Sequence, residues 1–161
     1  MKTLLSTCFI LLSLLSIGQS NWESAPNTDS VLVFNRVEKI PLIEGCNDNS
    51  QSEETRTCFG QMVIRHISQN FVYPEEARKK GVQAKIYVQF VIEQDASISN
   101  VEVLKGATDA YKGKRKMKAQ AKELDEAAIK VVSTLAIKEP AEQRGKPVRI
   151  RYVVPINAKL Q

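Results

Sequence analysis

Residues 73–92 read Tyr73-Pro74-Glu75-Glu76-Ala77-Arg78-Lys79-Lys80-Gly81 and run directly into Val82-Gln83-Ala84-Lys85-Ile86-Tyr87-Val88-Gln89-Phe90-Val91-Ile92. The first half is a short helix written in end signals. Proline suits the first helical turn, where a missing N–H costs nothing. Acids follow at the positive end of the helix, bases at the negative end, and Gly81 stops it. The second half alternates, with Val82, Ala84, Ile86, Val88, Phe90 and Ile92 on one side and Lys85, Tyr87 and Gln89 on the other, so a half-buried strand follows.

Downstream, Glu93 to Ser97 is a turn, and Ile98 to Leu104 returns with Val101 and Val103 on one face, which predicts a β-hairpin. Upstream, Phe59, Val63, Ile67 and Phe71 recur every four residues, with Met62 and Ile64 beside them, predicting a helix from Phe59 onward. His66, the single histidine, falls off that stripe and is read as a surface or capping side chain. Leu124, Ala127, Ala128, Val131, Val132 and Leu135 predict another amphipathic helix, opened by Asp125 and Glu126. Pro140 to Pro147 reads as a connector carrying Gly145. Val148, Ile150, Tyr152, Val154 and Ile156 then alternate with Arg149, Arg151 and Val153 in a last strand. Proline cannot donate to a ladder, so a strand holding Pro155 belongs at a sheet edge. The order α-α-β-β-α-β gives an α+β fold, a small antiparallel sheet with helices packed on one face.

The remaining segments set the context. The chain has 161 residues, room for one domain. Residues 1–20 read as a secretory signal, with Lys2 ahead of an apolar run from Leu4 to Ile17 and small residues after it. That run is shorter than the roughly 20 residues of a spanning helix; retention as an uncleaved inner-membrane anchor is the competing reading. Residues 21–58 form a leader: a polar start, a more apolar stretch from Val31 to Ile43 that could supply an edge strand, and a polar loop from Gly45 to Thr57. Residues 59–161 form the domain proper.

Cys8 would leave with the signal, and Cys46 and Cys58 remain, an even count in an exported protein. They fit a disulfide contributing about 3 kcal/mol by loop closure, with two unpaired buried thiols as the alternative. Loss of Lys2 leaves 22 basic and 18 acidic residues, a net charge of +4. That is too mild for dedicated nucleic-acid binding. Residues 106–122 carry Lys112, Lys114, Arg115, Lys116, Lys118 and Lys122 against Asp109. They read either as a solvated loop running into a helix or as a peripheral contact with phosphate-rich envelope surfaces. No catalytic, metal or cofactor site is predicted. The acid pairs Glu75-Glu76 and Asp125-Glu126 sit at predicted helix starts, and no nucleophile has a base beside it.

The succession of motifs resembles a known family. Tyr73-Pro74-x-x-Ala77, the strand ending Phe90-Val91-Ile92 with Asp95 in the turn, the Leu124-Asp125-x-Ala127-Ala128 helix, Pro140, and Gly145-Lys146-Pro147-Val148 to Val154-Pro155-Ile156 are similar, in order, to the TonB C-terminal domain. The resemblance implies a periplasmic domain of the Gram-negative envelope. In the family it captures an extended segment, the TonB box, of outer-membrane transporters by strand addition. Carried onto this sequence, it implies no enzyme activity and no cofactor, and a transporter or other envelope protein as partner. The receiving edge would be Val148, Ile150, Tyr152 and Val154, with Tyr73 and Pro74 shaping the adjoining surface. Such an edge could also pair with a second copy. The alternative is an envelope structural or assembly protein that keeps the fold and binds through residues 107–122. Ala96 stands where the family places Gly after the turn Asp, which predicts a wider turn here.

Overall fold

The computed structural model describes residues 31–46 and 53–160. The predicted signal, the first part of the leader and residues 47–52 of the cysteine loop lie outside the described residues. The chain runs β1 (Leu32–Val33), a 3₁₀ turn (Phe34–Arg36), β2 (Leu42–Ile43), α1 (Glu53–Asn70), α2 (Glu75–Lys79), β3 (Ala84–Ile92), β4 (Ile98–Lys105), α3 (Ala107–Ala110), a second 3₁₀ turn (Arg115–Met117), α4 (Lys118–Ser133), β5 (Ile137–Glu139), β6 (Ala141–Gln143), β7 (Lys146–Val148) and β8 (Ile150–Ala158). This is an α+β fold. Its main sheet has the order β1-β8-β3-β4, antiparallel except for the parallel β1–β8 pair.

The core lies between one face of this sheet and the helices. Ile86, Val88, Phe90 and Ile92 of β3 and Ile150, Val154, Ile156 and Ala158 of β8 are buried against Phe59, Val63 and Ile67 of α1 and Leu124, Ala128, Val131 and Val132 of α4. The alternation sorts core from solvent along β8 and along β3 as far as Phe90, as the two-residue period requires; Val91, at the end of β3, is buried as well. Phe34, Val37, Ile40 and Ile43, from the leader, belong to the same buried cluster. A disulfide joins Cys46 to Cys58 on α1.

Several boundaries differ from expectation, each for a local reason. The helix predicted from Phe59 starts at Glu53, with Glu53 and Glu54 in its first turn, where acids complement the helix dipole. Ile64, counted with the apolar face of that helix, is 54% exposed. The strand expected across Val31–Ile43 is interrupted after Val33, where Phe34 turns inward. The connector from Pro140 is a β-hairpin instead, in which Ala141, Glu142 and Gln143 pair with Val148, Pro147 and Lys146. Its two-residue turn places Arg144 and Gly145 at φ of 52° and 69°, the left-handed pair that suits a tight hairpin. Val148 belongs to this hairpin, so the last strand proper begins at Ile150.

The β3–β4 turn is tight rather than wide. Ala96 takes φ 65°, its amide donates to the Glu93 carbonyl, and the Glu93 amide donates to that of Ser97. The Asp95 carboxylate accepts from the Ser97 amide and hydroxyl, which hold its pKa below the ordinary value. These bonds keep a non-glycine residue in a conformation that ordinarily favours glycine.

Asp125 does not open a helix, because α4 begins seven residues earlier at Lys118. The Asp125 side chain is buried and accepts from the amides of Ala107 and Thr108, at 2.6 and 2.9 Å, and from the Thr108 hydroxyl. The carboxylate thus caps α3, a different helix from its own. Gly106 makes room for it: a Cβ there would come within 2.7 Å of the Asp125 carboxyl atoms. The basic stretch 112–118 lies largely exposed between α3 and the start of α4.

Candidate functional site

β8 pairs with β3 through nine consecutive residues, from Ile150↔Ile92 to Ala158↔Ala84, without a register shift. On its other side β1 covers only Ile150 and Arg151. Backbone groups of successive strand residues point to opposite sides, so one established bond fixes the direction of all the others. The Leu32 amide donates to the Arg149 carbonyl at 2.9 Å. Odd-numbered residues of β8 therefore aim their N–H and C=O away from β3. Beyond β1 these are Val153, Pro155 and Asn157. The open edge presents N–H and C=O of Val153, C=O of Pro155 and N–H of Asn157; the Asn157 carbonyl accepts from the Lys159 amide at 3.1 Å. Pro155 has no N–H, and its nitrogen falls on the open side, where no ladder bond is lost.

The residues expected at the receiving edge take unequal parts. The side chains of Val148, Ile150 and Val154 are buried in the core; Val148 pairs with Ala141 in the β6–β7 hairpin, and the even-numbered Ile150 and Val154 turn their backbone groups toward β3, so none of the three faces the open edge. Tyr152 is half-buried, its ring edge-on to Phe34 at 4.7 Å and to Phe59 at 5.3 Å, and burial raises its hydroxyl pKa. Tyr73 donates its hydroxyl to the Val82 carbonyl and meets Phe71 edge-on at 6.0 Å. Burial, then the nearby Tyr111, raises the Tyr73 pKa. Pro74 sits at the N-cap of α2. Since Ala84 pairs with Ala158, both lie toward the C-terminal end of β8, away from Ile150.

The edge-facing residues Val153, Pro155 and Asn157 were not anticipated as a set. Pro155 was the signal that could have found them, because proline in a paired strand must turn its nitrogen outward, and this fixes the parity of its neighbours. Beside the head of the edge an open cavity of about 580 Å³ is lined by Phe34, Asn35, Glu53, Arg56, Thr57 and Tyr152. His66 lies elsewhere, its Nε2 3.0 Å from Thr134 Oγ1.

The opposite edge of the sheet is built differently. β4 has register shifts against β3 at Tyr87/Val88 and Gln89/Val91, and Asn100 within it takes φ 47°. Bulges and twist of this kind blunt an edge against strand addition.

Residues 69–110 match the family model described as the Gram-negative bacterial TonB protein C-terminal. Over these residues the chain is similar to that family. The matched segment runs from the end of α1 through α2, β3 and β4 into α3, and β8 lies beyond it. Among solved structures, the TonB C-terminal domain of Helicobacter pylori, determined by NMR, is 21% identical, with 64% of this chain and 84% of that chain covered and a TM-score of 0.37. No curated protein matches. No helix among the described residues is long and apolar enough to cross a membrane.

Proposed function

We propose that this protein is a periplasmic binding module of the TonB C-terminal type, exported by residues 1–20, that takes up an extended segment of an outer-membrane transporter by strand addition at β8. One observation carries the reading. β8 holds an unbroken nine-residue register with β3 while, among the described residues, β1 covers only two of those nine on its outer edge. A straight edge with alternating donors and acceptors accepts a strand; the bulged β4 edge resists one. The family match at residues 69–110 supports the choice of partner class. The role is binding rather than catalysis: the open part of this edge carries Val153, Pro155 and Asn157, with no acid–base pair among them. A second copy is the competing occupant of the same edge.

Val153→Pro tests the reading. The substitution removes an outward N–H that bonds nothing inside the fold, so the protein remains folded by circular dichroism. A synthetic peptide bearing a transporter TonB box is expected to bind the parent protein in isothermal titration and to bind the variant at least tenfold more weakly. Equal affinity for both proteins would sink the assignment of β8. A dimer in sedimentation that Val153→Pro dissociates, with no peptide binding, would assign the edge to self-association.

A further inference from the structure

The leader fixes where the open edge begins. β1 runs parallel to β8, with Leu32 opposite Ile150 and Val33 opposite Arg151, and the register sets the Arg151 amide against the Leu32 carbonyl. The chain then leaves the sheet abruptly. Phe34 turns into the core beside Tyr152 and Phe59, with ring centroids 4.7 and 5.2 Å away. The Arg56 guanidinium donates to the carbonyls of Phe34 and Val37, both at 3.3 Å. Val37, Ile40 and Ile43 continue the anchorage into the core, and the Cys46–Cys58 disulfide ties the same segment to α1. Two ladder residues held by this much buried structure are not a loose flap that an incoming strand could peel away.

The far end is closed as well. The Asn157 carbonyl is taken by Lys159, and the Leu160 amide donates to Gln83 Oε1 at 3.1 Å.

We infer that the Leu32–Phe34 segment is a fixed register stop, so that β8 accepts an extended segment only between Val153 and Asn157, laid end to end with β1. This rests on the strand-addition reading above and adds a length limit to it. The partner segment makes its main-chain bonds over about five residues, to two donors and two acceptors. One of its carbonyls faces the Pro155 ring and finds no donor. Residues of the partner beyond that window contribute no further ladder bonds.

Amide hydrogen exchange followed by NMR tests this in two stages. In the free protein, Leu32 and Arg151 amides exchange slowly, while Val153 and Asn157 exchange at least tenfold faster; equal rates for Arg151 and Val153 would overturn the inference. With saturating TonB-box peptide, Val153 and Asn157 become protected while Leu32 keeps its protection within twofold. Binding accompanied by a tenfold or greater loss of protection at Leu32 would mean that the leader is displaced, which contradicts the stop and leaves strand addition intact. A longer peptide, extended toward the Ile150 end, is expected to bind the parent protein no more tightly than a short one. In Phe34→Ala the longer peptide gains affinity; if that variant does not fold, the exchange pattern of the parent protein decides alone.

Discussion

Phe34 meets Tyr152 edge to face with ring centroids 4.7 Å apart, so a residue of the leader and a residue of the last strand share one aromatic cluster with Phe59 and Phe90. The contact gives the N-terminal segment its place in the domain and defines the head of the open edge. Phe34→Ala removes a buried ring and leaves its neighbours facing a void. A loss of about 3 kcal/mol is expected in chemical denaturation. Phe34→Leu, which keeps most of the volume, should cost clearly less.

Ala96 holds φ 65° in the β3–β4 turn without the freedom of glycine. Ala96→Gly removes steric strain at that conformation and should stabilise the protein by about 1 kcal/mol, despite the greater freedom of glycine in the unfolded chain. A higher denaturation midpoint with an unchanged slope is the expected readout.

Asp125 and Gly106 form a coupled pair. Asp125→Ala leaves the Ala107 and Thr108 donors without their acceptor, a loss of about 2 kcal/mol. Gly106→Ala drives a methyl group into the carboxylate and should cost about 1–3 kcal/mol. The two losses should not add. With the Asp125 carboxylate gone, the new methyl group has space, and the double variant should be more stable than the sum predicts.

How much of this was legible in the sequence depended on the length of each pattern. β3 and β8 announce themselves because their alternation runs over seven residues in the first and nine in the second, and Pro155 marks the second as open on one side beyond the short β1. The β6–β7 hairpin does not, since three-residue strands carry no usable period and only the turn residues Arg144 and Gly145 hinted at it. The first turns of α4 were hidden by a run of lysines with no cap and no acid ahead of them, so the apolar stripe appeared to begin at Leu124. The placement of Phe34 was out of reach for another reason. A single aromatic residue between two short strands says nothing about which distant strand it will pack against.

Glu93 links the hairpin turn to the last strand. Arg149 donates to both of its carboxylate oxygens, at 2.6 and 3.0 Å, and Ser99 donates to one. The Arg149 hydrogen bonds, then that of Ser99, hold its pKa below the ordinary 4.5. The unfolded chain therefore takes up a proton at this site at higher pH than the folded one does. Its stabilising contribution is fully present above about pH 4.5 and is lost as pH falls through the depressed value. Urea titrations between pH 3 and 7 should show stability falling on acidification, and Glu93→Gln should flatten that slope.

The most direct test of strand addition at β8 is a titration of the isotopically labelled protein with a TonB-box peptide, mapped by NMR. Strand addition at β8 shifts the amides of Val153 and Asn157, with intermolecular contacts along the open side of β8 and none along Ile98–Lys105. Contacts mapping to the β4 edge, or to the basic residues 112–122, would contradict it and move the binding surface elsewhere.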